Sequence, residues 1–216
     1  MKKYTFLVLF TLILACCIGI ERSAAQCFEK GDKIINAGIK ISIYKVSDQG
    51  SNNDEEEDGD DGAASYTIPI SFEYALTNRI GIGAEIGICN YFTGEDTITG
   101  TIASASSFDM LISGNFHWVR GGRVDLYSGI GLGFSSFKYE SNDARESRFK
   151  STGTYVRLSL FNARFYVGEK FALTLHCGIP YMNFNNGRID DNIGSDYNYP
   201  LTFTGVDIGT GIAFRF

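Results

Sequence analysis

The chain has 216 residues, with 25 glycines, three prolines, 14% aromatic residues and a formal charge of −6. That length fits one domain or one closed barrel, and the glycine and aromatic content suits many short strands and turns. No patch of Lys and Arg marks a nucleic-acid-binding surface, so nucleic acid is not expected as a partner.

The chain opens with Lys2 and Lys3, an apolar run from Tyr4 to Ile20, then Glu21-Arg22 and the small residues Ser23, Ala24 and Ala25. A charged start, an apolar core and a small-residue site describe a secretory signal peptide, predicted over residues 1–25 with cleavage after Ala25. A membrane anchor is the other reading of such a run, but this one is at or below the ~20 residues a spanning helix needs. Ala15-Cys16 resembles part of a lipobox, with Leu14 a poor fit there. Residues 26–216 form the predicted mature domain, and no stretch of it approaches the ~18 apolar residues of a transmembrane helix. It keeps Cys27, Cys89 and Cys177. An odd number without short spacing is neither a disulfide framework nor a zinc site, so free thiols, buried or facing lipid, are expected.

Period-two alternation, the signature of a strand with two unlike faces, then recurs along the chain. Ala37, Ile39, Ile41 and Ile43 alternate with Gly38, Lys40, Ser42 and Tyr44. Tyr66, Ile68, Ile70, Phe72, Tyr74 and Leu76 alternate with Thr67, Pro69, Ser71, Glu73 and Ala75. Ile80 to Ile88 has Gly81, Gly83, Glu85 and Gly87 opposite. Phe108 to Trp118 opposes Asp109, Leu111, Ser113, Asn115 and His117. Val124 to Phe134 carries Asp125, Tyr127 and three glycines on its other face. Val156, Leu158 and Leu160 flank Arg157 and Ser159, and the pattern slips near Asn162, as at a bulge. Phe171 to Ile179 opposes Thr174, His176 and Gly178. Val206 to Phe216 opposes Asp207, Gly209, Gly211, Ala213 and Arg215.

Eight strands result, and their connections alternate between long and short. Residues 46–64, 92–106, 140–151 and 184–199 are long; 77–79, 119–123 and 167–170 are short. Short turns at one end, long loops at the other and both termini at the short-turn end are the layout of an outer-membrane barrel. A soluble sandwich or lipocalin-like barrel also alternates. The leader, the loop rhythm and the terminal Phe favour the inverted arrangement, with the Ile, Leu, Val and Phe face in lipid and Lys40, Glu73, Glu85, Asp109, Asp125, Arg157, Asp207 and Arg215 facing inward. In lipid every backbone polar group must pair internally, which a closed barrel achieves. Tyr66, Phe108 and Phe134 are predicted in one interfacial girdle, and Phe72, Tyr74, Trp118 and Phe216 in the other.

On these residues the chain resembles the small outer-membrane β-barrel proteins of Gram-negative bacteria, of the OmpA, OmpX and OmpW kind, over essentially its whole mature length. The fold class is therefore all-β, an eight-stranded antiparallel transmembrane barrel with short periplasmic turns and long extracellular loops, in the cell outer membrane. The most specific match is the ending "GTGIAFRF". Gly211, Phe214 and Phe216 stand where that family carries its insertion signal, while Gly209 departs from the polar residue expected there. The resemblance implies recognition of this ending by the barrel assembly machinery.

Residues 46–64 contain eight acids and no base, which describes a solvated loop that repels itself. Asp54-Glu55-Glu56-Glu57-Asp58-Gly59 begins like a calcium loop, but position twelve is Ser65 where a bidentate Glu is needed. Weak, charge-driven cation binding is the alternative to a purely solvated loop. The inward charges are expected to form a plug of ion pairs, since an eight-stranded barrel has room only for side chains. His117 sits near the periplasmic end, and His176 lies mid-strand without a readable Ser-His-Asp arrangement. No catalytic, cofactor-binding or metal-ligating residue is therefore assigned, and no cofactor. The expected role is structural or surface-binding, through the extracellular loops of a monomer in contact with outer-membrane lipid. The alternatives are a lipid-modifying enzyme, acting on lipid A or phospholipid, and a narrow pore.

Overall fold

A computed structural model describes residues 27–48, 61–92, 103–141, 148–185, 187–190 and 201–216. The leader expected over residues 1–25 and the acidic run from Asp54 to Asp60 lie outside the described residues.

The alternating segments form strands β1 (Lys33–Asp48), β2 (Asp61–Ala75), β3 (Ile80–Tyr91), β4 (Ala103–Gly121), β5 (Val124–Ser141), β6 (Arg148–Tyr166), β7 (Phe171–Phe184), β8 (Gly187–Asp190) and β9 (Leu201–Arg215). Each pairs antiparallel with its neighbour. β9 pairs with β1 from Ile34↔Arg215 to Asp48↔Leu201, and this seam closes the wall. Eight strands make the barrel; β8 is a short piece that continues the line of β7 along β6. The short connections expected at one end are there: residues 76–79, 122–123 and 167–170. Gly122, at φ +64°, supplies the left-handed residue that the two-residue turn between β4 and β5 requires.

The alternation has the expected sense. Ile39, Ile41, Ile43, Ile68, Ile70, Ile112, Leu132, Leu173 and Ile208 all point outward. Trp118 is outward as well, 47% exposed, and so are Phe72, Phe108, Phe134 and Phe216. At the extracellular side the apolar belt ends level on neighbouring strands, at Ile43, Tyr66, Ile88, Phe108 and Phe134. Beyond it the outward positions become Lys45, Asn90, Ser106, Ser136 and Lys138. From Ile35 to Ile43 the belt on β1 matches the 9–11 residues that cross a bilayer in a tilted strand.

The strands do not stop at the belt. β4 and β6 run 19 residues each, roughly 45–50 Å of height at the usual rise and tilt, against an apolar band of about 25 Å. The barrel thus stands well clear of the membrane on its extracellular side. There its polarity inverts: Tyr44, Tyr91, Phe137, Tyr155, Met182, Phe184 and Phe203 point inward and pack together. Phe203 meets Tyr44 and Phe184 edge-on, with centroids 5.8 and 5.7 Å apart. In water the wall needs a polar outside, so the apolar residues move to the inside, as in a soluble protein. This corrects the expectation of a polar interior throughout. The polar tier occupies only the membrane-level section, and a second apolar cluster, Cys27, Phe28, Ile34, Ala75, Tyr166, Ala172 and Ala213, fills the periplasmic end.

Candidate functional site: the charged tier of the lumen

Between the two apolar tiers lie the charges that the alternation placed inside. Glu85 of β3 is the hub of one cluster. Lys40 Nζ donates to its Oε1 at 2.5 Å, and the Arg157 guanidinium donates to both its oxygens, at 2.5 and 2.9 Å. Two cations on one carboxylate leave an excess of positive charge, and Asp207 of β9 lies close enough to act on both. Asp207 in turn faces His176 Nε2 at 3.0 Å, while His176 Nδ1 faces Asn162 at 2.6 Å.

The second cluster lies toward the periplasm. Arg164 donates to Asp125 at 3.0 Å and, through its other terminal nitrogen, to Glu73. His117 spans the same two carboxylates, with Nδ1 2.7 Å from Asp125 and Nε2 3.1 Å from Glu73. Carboxylates only accept, so this geometry suits an imidazolium that donates from both nitrogens. Two cations then face two anions. Asn115 adds a hydrogen bond to Glu73 at 2.6 Å, and the Arg164 guanidinium lies 4.3 Å over the Tyr127 ring.

Two bulges aim this cluster, one on β4 and one on β6, the latter offsetting the pairing of β6 with both β5 and β7. The register shifts between His117 and Val119, between Tyr127 and Gly129, and between Ser159 and Phe161. At each bulge one strand gains a residue, so inward parity resumes one position later. On β4, Trp118 and Val119 both face out as a result; on β6, Leu160 and Phe161 do, and Asn162 and Arg164 swing inward. The expected irregularity near Asn162 is this bulge. Arg164 was not among the expected inward charges because strict alternation from Arg157 does not carry across it.

Two expected pairings do not form. Arg215 lies at the periplasmic rim rather than among the luminal acids, donating to the Glu169 carbonyl at 2.6 Å with Asp32 at 3.6 Å. Asp109 is buried without one of the expected cationic partners beside it; the hydroxyls of Ser107 and Ser135 donate to it at 3.0 and 2.6 Å. The thiols of Cys27, Cys89 and Cys177 are free. Cys89 points inward and is buried, and Cys177 lies on the other face.

A cavity of about 60 Å³ separates the clusters, lined by Lys40, Glu73, Glu85, Arg157, Arg164 and His176 among others. It has room for a few waters and for nothing much larger. The Nε atoms of Arg157 and Arg164 are buried without a protein partner, and both side chains line it. Among the described residues no group of His, Cys, Asp and Glu has the arrangement of a metal site.

A closed barrel with a lipid-facing apolar belt, girdles of aromatics and a salt-bridged interior defines an integral protein of the outer membrane. The sequence matches the outer membrane protein beta-barrel domain family over residues 10–216, and the chain belongs to that family. Among the curated proteins none matches it by sequence. Its fold is similar to that of the outer membrane protein OprG from Pseudomonas aeruginosa, with a TM-score of 0.57 at 12% identity over 88% of this chain and 97% of that one. It is similar in the same way to outer membrane protein AlkL, with a TM-score of 0.54 at 14% identity over 91% and 94% of the two chains. Neisserial surface protein A follows at 0.50 and 13% identity, over 87% and 98%. At such identities the likeness is one of fold. The protein is located in the cell outer membrane.

Proposed function

We propose that this barrel serves the cell as a structural or surface-binding element that acts through its extracellular end, not as a conduit or an enzyme. The observation that carries this reading is the three-tier interior. Aromatic side chains fill the section above the membrane, bidentate and bridging ion pairs fill the middle, and Phe28 with its neighbours fills the periplasmic end. A conducting path would have to open all three. The extension of β4, β5 and β6 beyond the belt supports the same reading, because it raises the loops on a rigid, aromatic-cored collar. Binding residues commonly sit on loops held by such a scaffold. A catalytic role has less support. The ring nitrogens of both histidines already face a carboxylate or an amide, which leaves none poised to take a substrate proton.

The test is electrical. Refolded protein added to a planar bilayer is expected to leave the membrane silent; regular conductance steps would establish a pore. Mass spectra of lipid A and phospholipid from producing and deleted cells are expected to coincide, and a shifted species would restore the enzymatic reading.

A further inference from the structure

The periplasmic rim repeats one arrangement four times. The four strands that run upward from it, β1, β3, β5 and β7, are each led in by a basic residue: Lys33, Arg79, Arg123 and Lys170. The carbonyl of each accepts an amide from a neighbouring strand: Phe216 to Lys33 at 3.0 Å, His117 to Arg79 at 2.8 Å, Tyr166 to Arg123 at 2.8 Å and Arg215 to Lys170 at 2.8 Å. The backbone at each position is thus fixed, while all four side chains are exposed. Because they recur at every second strand, they form a ring around the barrel.

Its height is set by the aromatics beside it. Phe171 follows Lys170 directly and packs on Phe214, with centroids 4.9 Å apart; Phe214 stacks on Phe216, and Trp118 meets Phe161. Such a girdle lies where hydrocarbon gives way to headgroups. The stems of Lys and Arg placed there lie along apolar surface and deliver the charge outward. The acids of the rim are Glu29, Asp32 and Glu169, and Asp32 is engaged within the rim by the Glu29 amide and by Arg215. The opposite end carries the acid-rich 46–64 segment, and its outward lysines, Lys45, Lys138 and Lys150, stand beyond the apolar belt, with Lys138 paired to Glu140.

We propose that Lys33, Arg79, Arg123 and Lys170 form a binding ring for anionic phospholipid headgroups of the periplasmic leaflet, recognising the phosphodiester and its net negative charge. The ring fixes the depth and tilt of the barrel. It concerns the end of the molecule remote from the loops and stands independently of their role.

The probe is phosphatidylglycerol mixed with phosphatidylethanolamine. Full-length mature barrel refolded into these vesicles, extracted and weighed by native mass spectrometry is expected to retain phosphatidylglycerol in preference by about fivefold, the gain of one well-placed surface charge. The preference is expected to vanish in the Lys33→Gln/Arg79→Gln/Arg123→Gln/Lys170→Gln variant and to persist in Lys138→Gln/Lys150→Gln at the other end. It should also fall as salt rises through a few tenths molar, as screening shortens. An unmodified protein that shows no preference, or a quadruple variant that keeps it, overturns the proposal. So does competition by inorganic phosphate at equal concentration, which would mark a free-anion site. If the quadruple variant does not refold, the salt titration of the unmodified protein and the Arg79→Gln/Arg123→Gln pair decide the question.

Discussion

Phe28 lies flat on His117, with ring centroids 3.5 Å apart and planes 11° from parallel. The residue belongs to the segment before β1, so the chain folds this segment into the periplasmic mouth and caps the buried Glu73–Arg164–Asp125–His117 cluster. Beside it the Cys27 thiol donates to the Val124 carbonyl at 3.0 Å. Burial, reinforced by the Asp125 charge, pushes that thiol from 9.0 up to about 12. Cys27 is therefore expected to resist maleimide at pH 8 in the folded barrel, and Phe28→Ala to expose it to rapid labelling. The folded state binds the thiol proton more tightly than the unfolded one. Its contribution to stability is thus complete below pH 9 and lost as pH rises toward 12. Equal labelling of both proteins would mean the cap does not seal the mouth.

Glu85 is the acceptor for both Lys40 and Arg157. Glu85→Gln leaves two buried cations on a neutral amide, and removing one partner of a buried pair costs about 3–5 kcal/mol. Lys40→Met is expected to cost less, because Arg157 keeps its two bonds to Glu85. Trp118 is the chain's one tryptophan, and its fluorescence in a urea titration reads both values. A Glu85→Gln midpoint no lower than that of Lys40→Met would show that charge balance is not what holds this tier together.

How far these features could be read in advance depends on what sets them. Within the membrane, solvent polarity alone decides which face is apolar, so Ile39, Ile41 and Ile43 were enough to place Lys40 inside. The same rule applied above the belt misreads Tyr44, which sits on the inward parity but belongs to an apolar cluster. Phe137, Tyr155 and Phe203 gave no alternation against lipid because their strands are in water there. Arg164 was hidden by a one-residue bulge that reverses parity within β6. Which acid meets which base follows from the stagger between strands, a property of closure that no single strand carries. The inward parity of Arg157 was legible; its meeting with Glu85 across the lumen was not.

Gly38 and Gly211 sit opposite each other on the seam between β1 and β9. A Cβ on Gly211 would come within 2.3 Å of the Ala37 carbonyl oxygen, and one on Gly38 within 2.4 Å of that of Thr210. Backbone atoms on both sides leave nothing flexible to yield. Gly211 thus has a packing reason to be glycine beside the signal that the resemblance assigns to it. Gly211→Ala is expected to impair closure in a purified system, read as loss of the compact, heat-modifiable band after refolding into detergent. Normal refolding of the variant would return Gly211 to a role in targeting alone.

Phe216 should behave in the opposite way. Its side chain faces outward, half exposed, and touches the ring of Phe214 at a centroid distance of 6.1 Å. What ties it to the barrel is backbone: its amide donates to Lys33 at 3.0 Å, and its carbonyl accepts from Lys33 at 3.3 Å. Phe216→Ala keeps both bonds. It loses only part of the roughly 1.5–3 kcal/mol that a fully buried aromatic side chain contributes, which eight mutually paired strands can absorb. Deletion of Phe216 removes the two bonds as well and opens the foot of the seam. The substitution is therefore expected to refold from urea into detergent with a nearly unchanged midpoint, and the deletion with a lower one. On the reading that the terminal ring is the assembly signal the resemblance implies, the substitution alone should in cells sharply reduce the protein recovered from the outer membrane and leave unfolded protein in the periplasm. Normal insertion of Phe216→Ala in cells would remove the terminal ring as an address, and failure of that variant to refold in detergent would make it a requirement of the fold.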